Sequence, residues 1–218
     1  MEKAVTELET TLTQSSIEAI LQLIRSGELP HGSVLSERAL AERLGLSRTP
    51  IREALGKLEA QNFIRRSGRT LLVNGVVLTD ILEILGVRRV LEAEAARIAA
   101  LRMAPEEVEH IRAELNTLTD GVEVSADRHW ELDELLHMSL ARASGNGLMV
   151  RMIQDCRLRT RMFGKERIPS RFHPGKAEHL AILDAVAARD AALAAQLMST
   201  HIENARSAII RSISGEEQ

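Results

Sequence analysis

The chain has 218 residues, of which 44% are hydrophobic and 27% charged, with a formal net charge of -3. That balance excludes a disordered chain, and the length suits two modest domains. The single cysteine, Cys156, excludes an internal disulfide framework and fits a reducing cytoplasm. No run of about 18 apolar residues offers a membrane-spanning helix. The acidic start MEKAVTELETTLTQ has no apolar core, so it does not read as a signal peptide.

Aromatic residues are only 2% of the chain (Phe63, Trp130, Phe163 and Phe172, with no Tyr), while the helix formers Ala, Leu, Glu and Arg dominate. The apolar spacing Ile17, Ile20, Leu21 and Ile24 predicts a one-faced helix over about 11–26, ended by Gly27 and followed by a Pro30-His31-Gly32 turn. The stretch SERALAERLGLSRTPIREALGKL, residues 36–58, predicts two short helices joined by Leu44-Gly45-Leu46. Phe63–Arg66 and Thr70–Val73 read as two strands around Ser67-Gly68-Arg69. Three helices followed by a basic hairpin make a winged helix-turn-helix.

After Asn74-Gly75 strand signals vanish. Helical patterns run over about 79–102, 105–119, 125–143, 147–165, 174–188 and 190–213. Thr79, Ser125 and Asp190 stand where N-caps are expected, and Pro105 and Pro174 where first-turn prolines are tolerated. The fold expected is mainly α: a winged helix-turn-helix in 1–76 and an all-α antiparallel helical bundle in 77–218.

Charge divides along the same line. Residues 31–74 hold eight basic side chains against four acidic ones, a balance of +4, so the remainder carries -7. A basic module joined to an acidic one suits nucleic-acid binding by the first. Arg48 and Arg52 lie four apart and share a helix face. Arg reads guanine through paired donors to O6 and N7, and Ser47 and Thr49 at the helix start can bind phosphate with help from the helix dipole. The plainer reading of each arginine is a solvated helix surface with i,i+4 pairing, such as Glu53 with Lys57.

At these residues the chain resembles the GntR family of bacterial transcription regulators. The match is LPHGSVLSERALAERLGLSRTPIREALGKLEAQNFI, residues 29–64, with its Pro-Gly turn, Leu-x-Glu and Ser-Arg-Thr-Pro-x-Arg-Glu-Ala-Leu. The resemblance implies that Arg38, Arg48 and Arg52 contact DNA. It also places a wing tip, here Gly68 and Arg69, in the minor groove. The tip Ser67-Gly68-Arg69-Thr70 departs from the family's Gly-rich pattern.

The bundle contains Asp133 and His137 at i,i+4, with His179 and His201 on later helices. One carboxylate and three imidazoles could meet in a bundle, while on spacing alone each histidine reads equally as a core or surface residue. Residues 79–213 resemble the FCD domain of the FadR subfamily. The resemblance rests on Val87–Glu92, Ala95–Ala100, Asp133-x-x-x-His137, Ser144-Gly145-Asn146, His179, and Met198 with His201-Ile202. It implies a divalent metal on Asp133, His137, His179 and His201, zinc favoured over nickel or manganese. It also sets Arg88 beside a cavity for an organic carboxylate. A surface salt bridge of Arg88 with Glu92 or Glu83 is the alternative.

The expected protein is therefore a cytoplasmic, homodimeric, sequence-specific DNA-binding regulator. It would be a repressor of operator DNA, released by a small carboxylate effector bound beside the metal, with no membrane contact and no catalysis. A metal-sensing regulator without an organic effector is one rival. A metal-dependent hydrolase is another, disfavoured because Glu134 and Glu178 adjoin ligands in sequence but point away from them along a helix. His110, His129 and His173 lack partner spacing.

Overall fold

The computed structural model describes residues 2–74, 78–118, 125–162 and 172–214. The chain is mainly helical and divides into two compact units, Met1–Val76 and Val77–Gln218.

In the first unit, helix α1 (Glu2–Arg25) begins nine residues before its predicted start. Its Ile17, Ile20, Leu21 and Ile24 are buried, and it packs on α3. Helix α2 (Glu37–Leu44) is capped by Ser36, whose hydroxyl accepts from the Ala39 amide, and ends on Gly45 at φ 65. That left-handed C-cap is where glycine avoids the Cβ penalty. Helix α3 (Arg48–Ala60) buries Ile51, Ala54, Leu55 and Leu58. Burial of one face leaves Arg48 and Arg52 on the outside. Glu53 accepts a 2.6 Å hydrogen bond from Thr13 Oγ1, so it serves α1 rather than the i,i+4 pair with Lys57.

Strands β2 (Ile64–Ser67) and β3 (Thr70–Val73) form the expected hairpin, with Ser67 opposite Thr70. Only the first loop residue, Gly68, has positive φ, at 60. A glycine at the first of two loop positions is the type II′ pattern, whose twist matches the strands. A further strand, β1 (Val34–Leu35), went unpredicted; it pairs with Leu71 and Leu72 and makes the sheet order β1-β3-β2.

The second unit is a helical bundle: α4 (Leu78–Arg102), α5 (Pro105–Asn116), α6 (Ala126–Ala143), α7 (Gly147–Met162), α8 (Phe172–Ala187) and α9 (Ala191–Ser214). Helix α4 touches α6, α7, α8 and α9, which makes it the central strut. Its buried Ala95, Ala96, Ala99 and Ala100 are small enough for close helix approach. Ser125 accepts from the Arg128 amide and Asp190 from the Leu193 amide, as N-caps do. Asn146 does the same for α7, accepting from the Leu148 and Met149 amides. Thr79 is not a cap: α4 already starts at Leu78. Among the described residues no helix is long and apolar enough to cross a membrane.

Candidate functional site

Asp133 and His137 project from one face of α6, His179 from α8 and His201 from α9. The bundle brings one donor atom of each within 4.8 Å of the others. His201 Nε2 lies 3.2 Å from His137 Nε2 and 3.3 Å from His179 Nε2. Asp133 Oδ1 lies 3.6 Å from His137 Nε2 and 3.4 Å from His179 Nε2. The three histidines are buried, and Asp133 is partly exposed.

The groups behind the ligands fix their orientation. His137 Nδ1 meets Glu92 Oε2, and His201 Nδ1 meets Glu178 Oε2 at 2.7 Å. Glu178 also accepts from Asn204 Nδ2 at 2.8 Å. A carboxylate at Nδ1 calls for the proton there, which leaves Nε2 as a bare lone pair. The lone pairs of His137 and His201 then face each other at 3.2 Å with a carboxylate oxygen beside them. That arrangement is repulsive until a cation enters it. Four donors sharing one zinc at about 2.1 Å would sit about 3.4 Å apart. The residues present therefore fit a divalent metal.

Electrostatics favour the ligand forms. Burial pushes the His179 imidazole below its ordinary pKa and His201 down to about 3, the neighbouring imidazoles adding to the effect on His201. Burial alone would raise Asp133, but the Arg157 guanidinium beside it holds its carboxyl well below the usual range. Neutral imidazoles and an ionised carboxylate are the forms that bind metal.

Arg157 on α7 is the neighbour that sequence reasoning missed. Its Nη2 donates to Asp133 Oδ2 at 2.7 Å and its Nε to Glu134 Oε2 at 2.8 Å. Its Nη1 is buried without a hydrogen-bond partner among the described residues, as is Trp130 Nε1 one turn before Asp133 on α6. The expectation that both glutamates point away from the ligands fails for Glu178, whose carboxylate meets the outer nitrogen of His201 across the helix pair. Glu134 meets Arg157 instead.

Arg88 was expected either beside a cavity or in a surface ion pair. It is buried: Nε donates to Glu92 at 2.5 Å and Nη1 to Thr160 Oγ1 at 3.3 Å. The ion pair with Glu92 is real but internal. Arg88 holds Glu92, and Glu92 holds His137.

In the first unit, Ser47 precedes α3 without a side-chain cap bond, so its hydroxyl is not spent on the helix. Arg48, Thr49 and Arg52 are exposed along the first turns of α3. Arg52 and Arg48 both reach Glu37 on α2. Arg38 on α2 and Arg69 beside Gly68 at the hairpin tip are exposed with no ion-pair partner among the described residues.

Two family models match the chain. Residues 12–70 match the bacterial regulatory proteins of the gntR family, and residues 83–204 match the FCD domain. A Bacillus subtilis protein described as the uncharacterized HTH-type transcriptional regulator YcbG is 31% identical over 217 residues, covering 92% of this chain and 91% of its own. The Glc operon transcriptional activator of Escherichia coli is 33% identical over 159 residues, 63% of each chain. Among solved structures, E. coli McbR/YncC superposes with a TM-score of 0.76 at 20% identity, covering 93% of this chain and 98% of its own. That last likeness speaks for the fold.

Proposed function

Because the chain belongs to the gntR family of bacterial regulatory proteins and carries the FCD effector domain, it is a DNA-binding transcription regulator and not an enzyme, and we propose that its bundle senses a small organic acid beside a divalent metal. The observation that carries this reading is the convergence of Asp133, His137, His179 and His201 on one point, with the outer nitrogens of His137 and His201 held by carboxylates. Zinc is the first candidate, with nickel or manganese accepted by a site open to more ligands. When bound, the ion would supply positive charge at which an incoming carboxylate is attracted. Arg157 stands next to it with a buried Nη1 that faces Glu92 Oε2 at 4.0 Å without a hydrogen bond, and Trp130 offers a buried N–H on the same helix as Asp133. We assign the effector's second contact to this pair more readily than to Arg88, whose donors meet Glu92 and Thr160.

On DNA, Arg48 and Arg52 would read base edges, with Ser47 and Thr49 on phosphate and Arg38, Gly68 and Arg69 holding the flanking backbone and minor groove. Two half-sites call for a homodimer. Val87, Val90 and Leu101 on α4, with Leu148 and Met152 on the neighbouring α7, leave apolar surface for a second copy. The reading includes repression relieved by effector in a reducing cytoplasm. A reporter with and without effector fixes the sign, since one relative is named an activator.

The test is elemental analysis of purified protein, followed by thermal-shift screening with small carboxylic acids. Wild type should carry about one divalent ion per chain, and His201→Ala should lose it. At least one carboxylate should raise the melting temperature of wild type and not of Arg157→Gln. Full metal occupancy in His201→Ala would overturn the ligand set. Operator release by metal alone, with no response to any acid, would favour the metal sensor.

A further inference from the structure

The two arginines at the start of α3 share one carboxylate. Glu37, the first residue of α2, accepts from Arg52 Nε at 3.0 and 3.1 Å and from Arg52 Nη2 at 2.9 Å. Arg48 Nη2 lies 3.4 Å from the same Oε2. The side chains of Arg48 and Arg52 remain 63% and 65% exposed, so both stay open to a ligand while held. Geometry decides which donors remain. A guanidinium has five N–H groups in a planar fork. Glu37 takes the side edge of Arg52, formed by Nε and one hydrogen of Nη2. The end edge, formed by Nη1 and the other Nη2 hydrogen, stays free. Two parallel donors of that kind are what guanine O6 and N7 accept.

We propose that Glu37 is a positioning residue for DNA readout: it clamps Arg52 by its side edge, presents the end edge to a base, tethers Arg48 beside it, and offsets charge that would otherwise draw this face to any phosphate. The inference rests on the reading that this unit binds DNA. Arg38, the next residue on α2, has no ion-pair partner among the described residues and supplies unspecific attraction without such a clamp. Specificity is a difference between affinities, and a clamp raises it from both sides. It removes freedom from the base reader, and it removes charge from the non-specific complex. Glu59 and Arg66 repeat the side-edge geometry, at 3.0 and 2.8 Å, between α3 and the hairpin. Glu59 is thus a matched control, with the same charge and pairing mode in the same unit but no hold on Arg48 or Arg52.

The experiment uses the full chain as wild type, Glu37→Gln, Glu37→Asp and Glu59→Gln. A tight duplex is first selected from a random library with wild type. Dissociation constants are then measured for that duplex and for a scrambled one of equal composition, across a salt series. Glu37→Gln should lower the ratio of selected to scrambled affinity roughly tenfold, mainly by tighter scrambled binding, with a salt slope steeper by about one. Glu37→Asp, one methylene shorter, should fall between, and it serves if Glu37→Gln fails to fold. Glu59→Gln should keep the wild-type ratio. An unchanged ratio in both Glu37 variants overturns the proposal, and so does an equal loss in Glu59→Gln, which would mark the effect as general charge. If wild type selects no duplex, the DNA reading itself fails, and the clamp with it.

Discussion

His201 meets the other ligands with its Nδ1 engaged by Glu178, and Glu178 is steadied by Asn204. One carboxylate thereby fixes both the tautomer and the tilt of a ring on a different helix. Removing its charge while keeping its shape isolates that role. Glu178→Gln leaves all four ligands in place and should weaken metal binding by about 10–100-fold, measured by competition with a chromophoric chelator. Wild-type affinity would mean that the ring is held by packing alone. At the other unit the informative residue is Arg48, whose tie to Glu37 is long at 3.4 Å and easily exchanged for a base. Arg48→Ala should cost about 1–3 kcal/mol of binding to a selected duplex and flatten preference at one position. Equal affinity for wild type and variant would remove Arg48 from the contact set.

At the scale of elements, the hairpin shows how one backbone angle sets a tip. Gly68 sits at φ 60, and a Cβ added there meets nothing within 4 Å, so strain in φ is the whole cost of a side chain. Gly68→Ala should lose about 1 kcal/mol of local stability. Amide exchange in the β2–β3 ladder should quicken about fivefold, with the bundle unchanged. Unchanged exchange in that ladder would show that the loop tolerates a left-handed alanine. The six bundle helices were legible in the sequence to within a few residues at most ends, because each buries one periodic stripe and several start on a capping side chain. The strand β1 was not. Val34 and Leu35 carry no period of their own and become a strand only by pairing with Leu72 and Leu71. The early start of α1 was hidden because the apolar repeat begins only near Ile17. Within the candidate cluster, Asp133 and His137 show as an i,i+4 pair with His179 and His201 on later helices, and family resemblance is what singles out the four as one set. Glu92 stood out only as a partner for Arg88, and Arg157 and Asn204 gave no signal. Helix packing sets the three against His137, Asp133 and Glu178, at sequence distances of 45, 24 and 26 residues.

Across the whole molecule, the ligands belong to three helices of one unit, and α4 ties a fourth through Glu92 and Arg88. An ion bound there bridges α6, α8 and α9, elements far apart in sequence, and binds only the folded unit. Binding to the native state stabilises it by RT ln(1 + [L]/Kd), about 2.7 kcal/mol at a hundredfold excess over Kd. Stripping the protein with chelator and restoring zinc should therefore slow amide exchange in α4, α6, α8 and α9 by up to roughly a hundredfold. The sheet of the first unit contains no ligand, so its amides should exchange at the same rate with and without zinc. Protection confined to the bundle is the expected pattern, read by mass spectrometry of peptides from each unit. No change in the bundle would mean that the four side chains meet without holding metal. Equal protection in the β2–β3 hairpin would show that the ion orders both units, and the bundle could then govern DNA binding through the folding of its neighbour.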